Sequence, residues 1–261
     1  MTEFFIGTSG YFYKDWEGEF YPGNIGSSQY LEYYGRYFNT VEINSTYYSL
    51  PNPYLFLNMI KKVNNNFLFS CKAHSSITHE RNAGDDIHDN FLKALEPLKK
   101  SGNLGVILFQ FPYSFYYNNA SLEYIKKIKE KFEDLPIACE FRNSGWINDK
   151  VINFLQMSKI GFCNVDEPKL PKLLPQTNIL TSDIFYLRFH GRNYEKWWNN
   201  NEAFERYNYI YKQEELEEWI PKIKEASAKV KKVMIYFNNH YKAQSAKSAG
   251  ILINLLDLNK N

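Results

Sequence analysis

Arg188 and His190 stand two residues apart in the run FYLRFHGR (185–192), on the opposite side of a strand-like alternation from Phe185, Leu187 and Phe189. A guanidinium presents a planar fork to carboxylate or phosphate. An imidazole exchanges protons near neutral pH. Similar polar endings recur along the chain as Glu42 and Asn44, Lys72 and His74, Gln110, Glu140 and Arg142, Asn164 and Asp166, and Asn238. Glu42 and Glu140 are candidates for proton transfer, assisted by His190. Lys72 has two readings: an amine whose pKa is lowered by arginines across a shared space, able to attack a carbonyl, or an ion-pair partner of Glu42. Arg142 and Arg188, with Arg192 just beyond, form an expected clamp for an anion. Asn44, His74, Gln110, Asp166, Asn238 and Trp197 complete the expected ligand-binding set.

Such side chains act together only if the chain brings them together. Eight strand-like runs recur: Glu3–Ser9, Thr40–Asn44, Phe67–Ala73, Gly105–Phe111, Pro136–Arg142, Ile160–Asp166, Ile184–His190 and Lys232–Asn238. Segments of helical period separate most of them: Ser28–Phe38, Pro53–Val63, Asp89–Lys100, Ser121–Phe132, Asp149–Ser158, Gln213–Lys229 and Ala243–Leu256. The proline-broken link EPKLPKLLPQTNILTSD between runs six and seven is expected to hold at most a short helical turn. Strands alternating with helices imply parallel pairing and right-handed crossovers. Eight such units predict a closed TIM (β/α)8 barrel, read as a single domain over residues 1–261. An open doubly wound sheet is the competing architecture, but the glycine-rich phosphate turn usual there is missing.

Period-two alternation assigns each strand an apolar side, expected under the helices, and a polar side, expected in the barrel lumen. The lumen set is then Glu42, Asn44, Lys72, His74, Gln110, Glu140, Arg142, Asn164, Asp166, Arg188, His190 and Asn238, with Thr8 or Ser9 from the first strand. All lie at strand C-termini, the end where this fold builds active sites. With neighbouring strands about 4.8 Å apart, Glu42 is expected beside Lys72, and Asp166 between Arg142 and Arg188. The competing reading is a satisfied polar plug that only closes the barrel top.

Composition narrows the classes. With 31 basic and 29 acidic residues, the net charge of +2 lacks the excess typical of dedicated nucleic-acid binders. The start MTEFFIGTSG carries no secretory pattern and no apolar run reaches membrane-spanning length, so a cytoplasmic protein without membrane partners is expected. Cys71, Cys139 and Cys163 have no metal-ligand spacing and read as reduced core thiols. His79 is read first as a loop-holding residue, and His88 and His240 as surface or helix-end residues. Most loop aromatics, including Tyr11, Tyr13, Trp16, Tyr113 and Trp146, are expected to pack as core. The polar segment Asn193–Arg206 around Trp197 and Trp198 is the exception, with the character of a movable lid. The terminal LNKN reads as a frayed tail.

Seven blocks then carry a resemblance: GTSGYFYKDWEGEFYP, FNTVEINSTYYSLP, FSCKAHSSITHERN, LFQFPYSF, EFRNSGW, YLRFHGR and IYFNN. In this order they resemble the YecE-like family, domain of unknown function 72, over nearly the whole chain. The resemblance implies a TIM barrel in a cytosolic bacterial-type protein, and no assigned reaction. Tyr11, Asn143 and Ala243 depart from residues common in that family. The expected function is thus an enzyme, hydrolase- or lyase-like, acting on a small anionic molecule bearing phosphate or carboxylate. The alternatives are single-stranded nucleic-acid binding through loop aromatics, a metal-dependent phosphodiesterase resembling endonuclease IV, and a glycoside hydrolase using Glu42 and Glu140. No cofactor is required by the sequence; a divalent metal on Glu42, Glu140 and Asp166 belongs to the phosphodiesterase alternative.

Overall fold

Hydrogen bonding fixes which parity of each strand meets its neighbour's, so pairing decides what the lumen contains. The computed structural model describes residues 2–258. In it β1 (Glu3–Ser9), β2 (Thr40–Ile43), β3 (Leu68–Lys72), β4 (Leu104–Gln110), β5 (Ile137–Glu140), β6 (Gly161–Asp166), β7 (Ile184–Phe189) and β8 (Lys232–Phe237) pair in chain order. All pairings are parallel, and β8 returns to β1 to close the barrel. This is the expected (β/α)8 architecture, with no strand end displaced by more than two residues. Of the expected tail at 258–261, Leu258 packs against the core and residues 259–261 lie outside the described residues.

Most helices follow their sequence signals. The segment read over 28–38, however, is a 3-10 turn, Ser27–Gln29, and a helix that stops at Tyr34, and the short helices Ser45–Tyr48, Ser75–Thr78 and Ala203–Tyr207 were not expected. The segment read as one helix over 213–229 is two, Gln213–Glu217 and Ile220–Ser227, because Pro221 favours a fresh helix start over a helix interior. The helix Asp85–Ser101 begins four residues earlier than the periodicity suggested, with Asp85 and Asp86 against its N-terminal dipole, and ends at Gly102 in the left-handed region (φ 77°). Between Asp166 and Ile184 the chain forms turns without a helix, as the prolines there require. Among the described residues, no helix is long and apolar enough to cross a membrane.

Outside the barrel, Val41, Ile43, Phe69, Leu187, Phe189 and Phe237 are buried under the helical ring. The Phe189 and Phe237 rings stack at 4.4 Å. Each such side chain contributes roughly 1.5–3 kcal/mol of burial free energy. Inside, the lower lumen is closed by hydrogen bonds: Tyr236 OH lies 2.7 Å from Thr40 Oγ1 and 2.9 Å from Ser70 Oγ. Ser9, not Thr8, faces inward. Its Oγ donates to Glu42 Oε1 at 2.8 Å, whereas Thr8 Oγ1 meets Tyr34 OH on the helix side.

One strand is inverted relative to expectation. Cys163 and Val165 of β6 register with Tyr186 and Arg188 of β7, while Asn164 and Asp166 register with Leu187 and Phe189. Registered neighbours share a face, so Cys163 and Val165 line the lumen and Asn164 and Asp166 point into the helical layer. The apolar and polar sides of GFCNVD are misleading because the outer layer here supplies hydrogen-bond partners instead of an oily surface.

Candidate functional site

The floor of the barrel mouth is a guanidinium shared by two carboxylates. Arg188 Nη1 donates to Glu140 Oε2 at 2.6 Å, and Nη2 donates to Glu42 Oε1 at 2.7 Å. Glu42 also accepts from Ser9 Oγ and from Tyr186 OH, both at 2.8 Å. Glu140 is paired a second time, with Arg142 Nη2 2.7 Å from its Oε1. Burial drives the Glu140 carboxyl pKa upward, but Arg142, Arg188 and His190 overcome it and hold the group well below the carboxylate range. Two carboxylates on one arginine suit neither half of a glycosidase pair, which needs a protonated acid and an open second carboxyl. Arg188, only 2% exposed and with its two terminal nitrogens on Glu140 and Glu42, is the organiser of this floor instead of a free anion clamp; its Nε is buried without a partner.

His190 is part of the same floor. Asn238 Nδ2 approaches its Nδ1 at 3.3 Å and can only donate, so the ring proton sits on Nε2, 3.2 Å from Glu140 Oε1. Burial, reinforced by Arg142, lowers its pKa to about 3. The ring is neutral near pH 7 and orients Glu140; the expected proton exchange in that range does not fit its surroundings.

Lys72 has a different environment. Register places Glu42 beside Ser70, one pair below Lys72, so the expected Glu42–Lys72 ion pair does not form. Lys72 Nζ instead stands 4.1 Å from the Tyr47 ring centroid. Burial lowers its pKa to about 7, with Arg188 and Arg142 adding to the effect and Glu140 and Glu42 opposing it. The amine faces a cavity of about 290 Å³ whose wall also includes Asn44, Gln110, Arg142, Asn238 and Tyr207. Asn44 Oδ1 is buried there without a hydrogen-bond partner. Arg142, 11% exposed, is the cup's accessible guanidinium.

Four expected members lie elsewhere. Asp166 accepts from Arg192 Nη2 at 2.8 Å, Tyr211 OH at 2.7 Å and Trp219 Nε1 at 2.8 Å, in a knot outside the barrel. It therefore does not sit between Arg142 and Arg188. Arg192 is held by that carboxylate together with Glu218 and Glu215, leaving no free fork for an anion. His74 caps the turn Ser75–Thr78, its Nδ1 accepting from Ser76 N at 3.3 Å. Asn164, likewise turned outward, holds the β6–β7 link through Thr177 Oγ1 and Ile179 N.

The mouth also contains residues that alternation could not indicate, because they come from loops. His240 stacks on Tyr13 at 4.8 Å and lines the cup, contrary to its reading as a surface residue. Glu167, just after β6, has Oε2 3.6 Å from Arg142 Nη1; burial raises its pKa to about 8 against the pull of Arg142. A second chamber of about 220 Å³ includes His79, Tyr113, Trp197, Trp198 and Arg206, and shares Gln110, Arg142 and Tyr207 with the first. Burial, then Lys72 and Arg142, lower the His79 pKa to about 4. Trp16, Phe115 and Trp146 are buried core, as most loop aromatics were expected to be; of the two expected exceptions, Trp198 is 54% exposed but Trp197 is buried. A further cavity of about 260 Å³ lies against Leu104 and Leu135, at the opposite end of the strands, away from every group discussed above.

Among the described residues, no group of three or more His, Cys, Asp or Glu is arranged to hold a metal ion. The three carboxylates of the phosphodiesterase alternative are split, two on Arg188 and Asp166 outside. All three cysteines are free and buried, and Cys163 Sγ lies 3.7 Å from Glu140 Oε2.

The model of a family described as "Protein of unknown function DUF72" matches residues 5–261, and the chain belongs to that family. The Bacillus subtilis UPF0759 protein YunF is 28% identical over 270 residues, 97% of this chain and 95% of that protein. The Escherichia coli K12 UPF0759 protein YecE is 34% identical over 87 residues, 33% of this chain and 31% of that protein. A DUF72 family protein of Thermotoga maritima, at 38% identity, superposes with a TM-score of 0.90, covering 98% of this chain and 99% of that one. One from Enterococcus faecalis, at 26% identity, gives 0.88 over 99% and 97%.

Proposed function

We propose that this DUF72 barrel is a lyase-like enzyme in which Lys72 forms an imine with a small carbonyl substrate carrying a carboxylate or phosphate. The observation that carries the reading is the unpaired amine: Lys72 Nζ opens onto the cup without a carboxylate partner among the described residues, and its pKa is drawn down to about 7. An amine nucleophile must be deprotonated to attack, and crowding by other cations in a desolvated site is one way to achieve that. Charge in the cup supports an anionic substrate. Glu42 and Glu140 offset Arg142 and Arg188, Glu167 is mostly protonated near neutral pH, and Lys72 is partly charged, so the balance is positive.

In this reading the Nζ lone pair adds to the carbonyl carbon while one proton passes from nitrogen to oxygen. The hydroxyl then takes a proton from solvent and leaves as water, giving a protonated imine. That imine accepts the electron pair of the adjacent Cα–Cβ bond, giving an enamine, while the β-hydroxyl loses its proton to solvent and that fragment leaves as a carbonyl compound. The enamine carbon then takes a proton from solvent, and water hydrolyses the imine to free Lys72. Arg142 holds the substrate anion, and Arg188 and His190 keep Glu140 in place beneath it.

The test is reductive trapping. Pyruvate or D-ribose 5-phosphate is incubated with the protein and borohydride, followed by peptide mass spectrometry. An irreversible adduct on Lys72, absent in Lys72→Ala, is the expected result. Adducts confined to exposed lysines, with Lys72 unmodified, sink the proposal.

A further inference from the structure

Arg206 differs from the other arginines around the mouth. Arg142, Arg188 and Arg192 are each neutralised by carboxylates. Arg206 instead lies over two indoles, 5.6 Å from the Trp197 ring centroid and 6.0 Å from that of Trp198; its Nε, like that of Arg188, is buried without a hydrogen-bond partner. No carboxylate among the described residues pairs with it. Aromatic faces hold a guanidinium in place without cancelling its charge. Besides Arg206, the charged group lining this chamber is Arg142, which pairs with Glu140; His79 is uncharged near pH 7, and Tyr113, Trp197, Trp198 and Tyr207 supply rings. Tyr113 and Trp198 meet edge to face at 5.3 Å, leaving ring surface open to the chamber.

We propose that this chamber is a second anion subsite, taking the phosphoryl end of a sugar phosphate whose carbonyl end reaches Lys72. Only the carbonyl end of this proposal rests on the imine reading. Gln110, Arg142 and Tyr207 line both spaces and so form the waist a bound molecule would cross. The C–H faces of a sugar pack on exposed indole and phenol rings, while its phosphate takes the free N–H groups of Arg206. The class is therefore a phosphorylated hydroxy-aldehyde or hydroxy-ketone, and a short keto acid fills only the first chamber.

The probes are D-ribose 5-phosphate, D-ribose and pyruvate, titrated calorimetrically at low salt into the wild-type chain and the Arg206→Gln and Trp198→Ala variants. Charge-assisted hydrogen bonds of this kind are worth a loss of about tenfold or more in affinity. Arg206→Gln is expected to lose that much for ribose 5-phosphate while pyruvate trapping at Lys72 proceeds as in wild type. Trp198→Ala, which removes a half-exposed ring, is expected to weaken ribose and ribose 5-phosphate alike, and it tests the chamber even if Arg206→Gln folds poorly. The subsite is overturned if wild type does not bind ribose 5-phosphate, if Arg206→Gln binds it as wild type does, or if that variant loses pyruvate trapping equally. Arg206-dependent binding without any Lys72 adduct keeps the subsite and removes the imine; a Lys72 adduct without Arg206 dependence does the reverse.

Discussion

Lys72 Nζ stands 4.1 Å from the centre of the Tyr47 ring, and that ring face takes the place a carboxylate would hold beside an ordinary buried lysine. A π face favours the ammonium only modestly, so burial and the two arginines prevail and the pKa falls to about 7.

The depressed pKa makes a stability prediction with a definite sign. Below about pH 7 lysine is protonated in both folded and unfolded chains, and the folded chain bears the full cost of enclosing the charge. Between about 7 and the ordinary 10.5 only the unfolded chain is protonated, so the cost fades at about 1.4 kcal/mol per pH unit. Lys72→Met should therefore raise the thermal midpoint most at pH 6 and progressively less toward pH 10. A gain that is flat with pH would show that the amine titrates normally.

Arg188 should be the most sensitive position in the mouth. Replacing it with methionine leaves Glu42 and Glu140 facing one another without their shared cation. Breaking a buried pair by removing one partner costs about 3–5 kcal/mol. The double variant Arg188→Met with Glu42→Gln should recover much of that loss, since Glu140 keeps Arg142 and no buried carboxylate then lacks a cation. Chemical denaturation of the two variants measures the difference. Equal stability of both would mean that Arg188 acts through packing alone.

Glu167 shifts in the opposite sense on the pH axis. Its carboxyl titrates near 8 in the fold against an ordinary 4.5, so it stays protonated through that window while the unfolded chain ionises. Stability is lost as pH rises from 4.5 to about 8, and above that the full cost persists. Glu167→Gln should match wild type at pH 4 and exceed it at pH 9 by thermal melting. A variant less stable than wild type at pH 9 would mean that the Arg142 contact at 3.6 Å outweighs burial.

Much of this was legible before any coordinates. Alternation in TVEI, LFSCK, IACE and IFYLRF separates an oily side from a polar one, and the polar strand ends do converge at one barrel mouth. GFCNVD misleads because its small apolar side, Gly161, Cys163 and Val165, faces the lumen, and its outward Asp166 finds Arg192, Tyr211 and Trp219 only through segments far along the chain. The Glu42–Lys72 pair fails for a subtler reason. Strand neighbours are evident from order, but parallel register is set by loop lengths and bulges, and a shift of two residues exchanges an ion pair for a free amine. Glu167 and His240 sit outside the regular elements, and Arg206 and Tyr207 in the short helix Ala203–Tyr207, where strand alternation gives no sign of which way a side chain turns.

The inversion of β6 has its own consequence for function. If Asp166 belonged to the cup, as its charge and position suggest, its loss would remove a ligand or catalytic contact and reduce trapping at Lys72. Because it faces the helices and accepts from Arg192, Tyr211 and Trp219, Asp166→Ala should act on folding. It leaves the buried Tyr211 OH and Trp219 Nε1 without their carboxylate acceptor, at a cost of about 1–3 kcal/mol each, while Arg192 keeps Glu218 and Glu215. The surviving folded protein should still trap pyruvate at Lys72 at the wild-type rate, since no atom of Asp166 reaches that cavity. Arg142→Gln, within the cup, should instead slow trapping of anionic carbonyls while leaving trapping of an uncharged aldehyde such as glycolaldehyde much less affected. The pair of variants separates the two faces of the barrel wall in one assay: a rate lost in Asp166→Ala at full folding would put β6 back in its expected orientation and undo the geometry on which Lys72 is isolated.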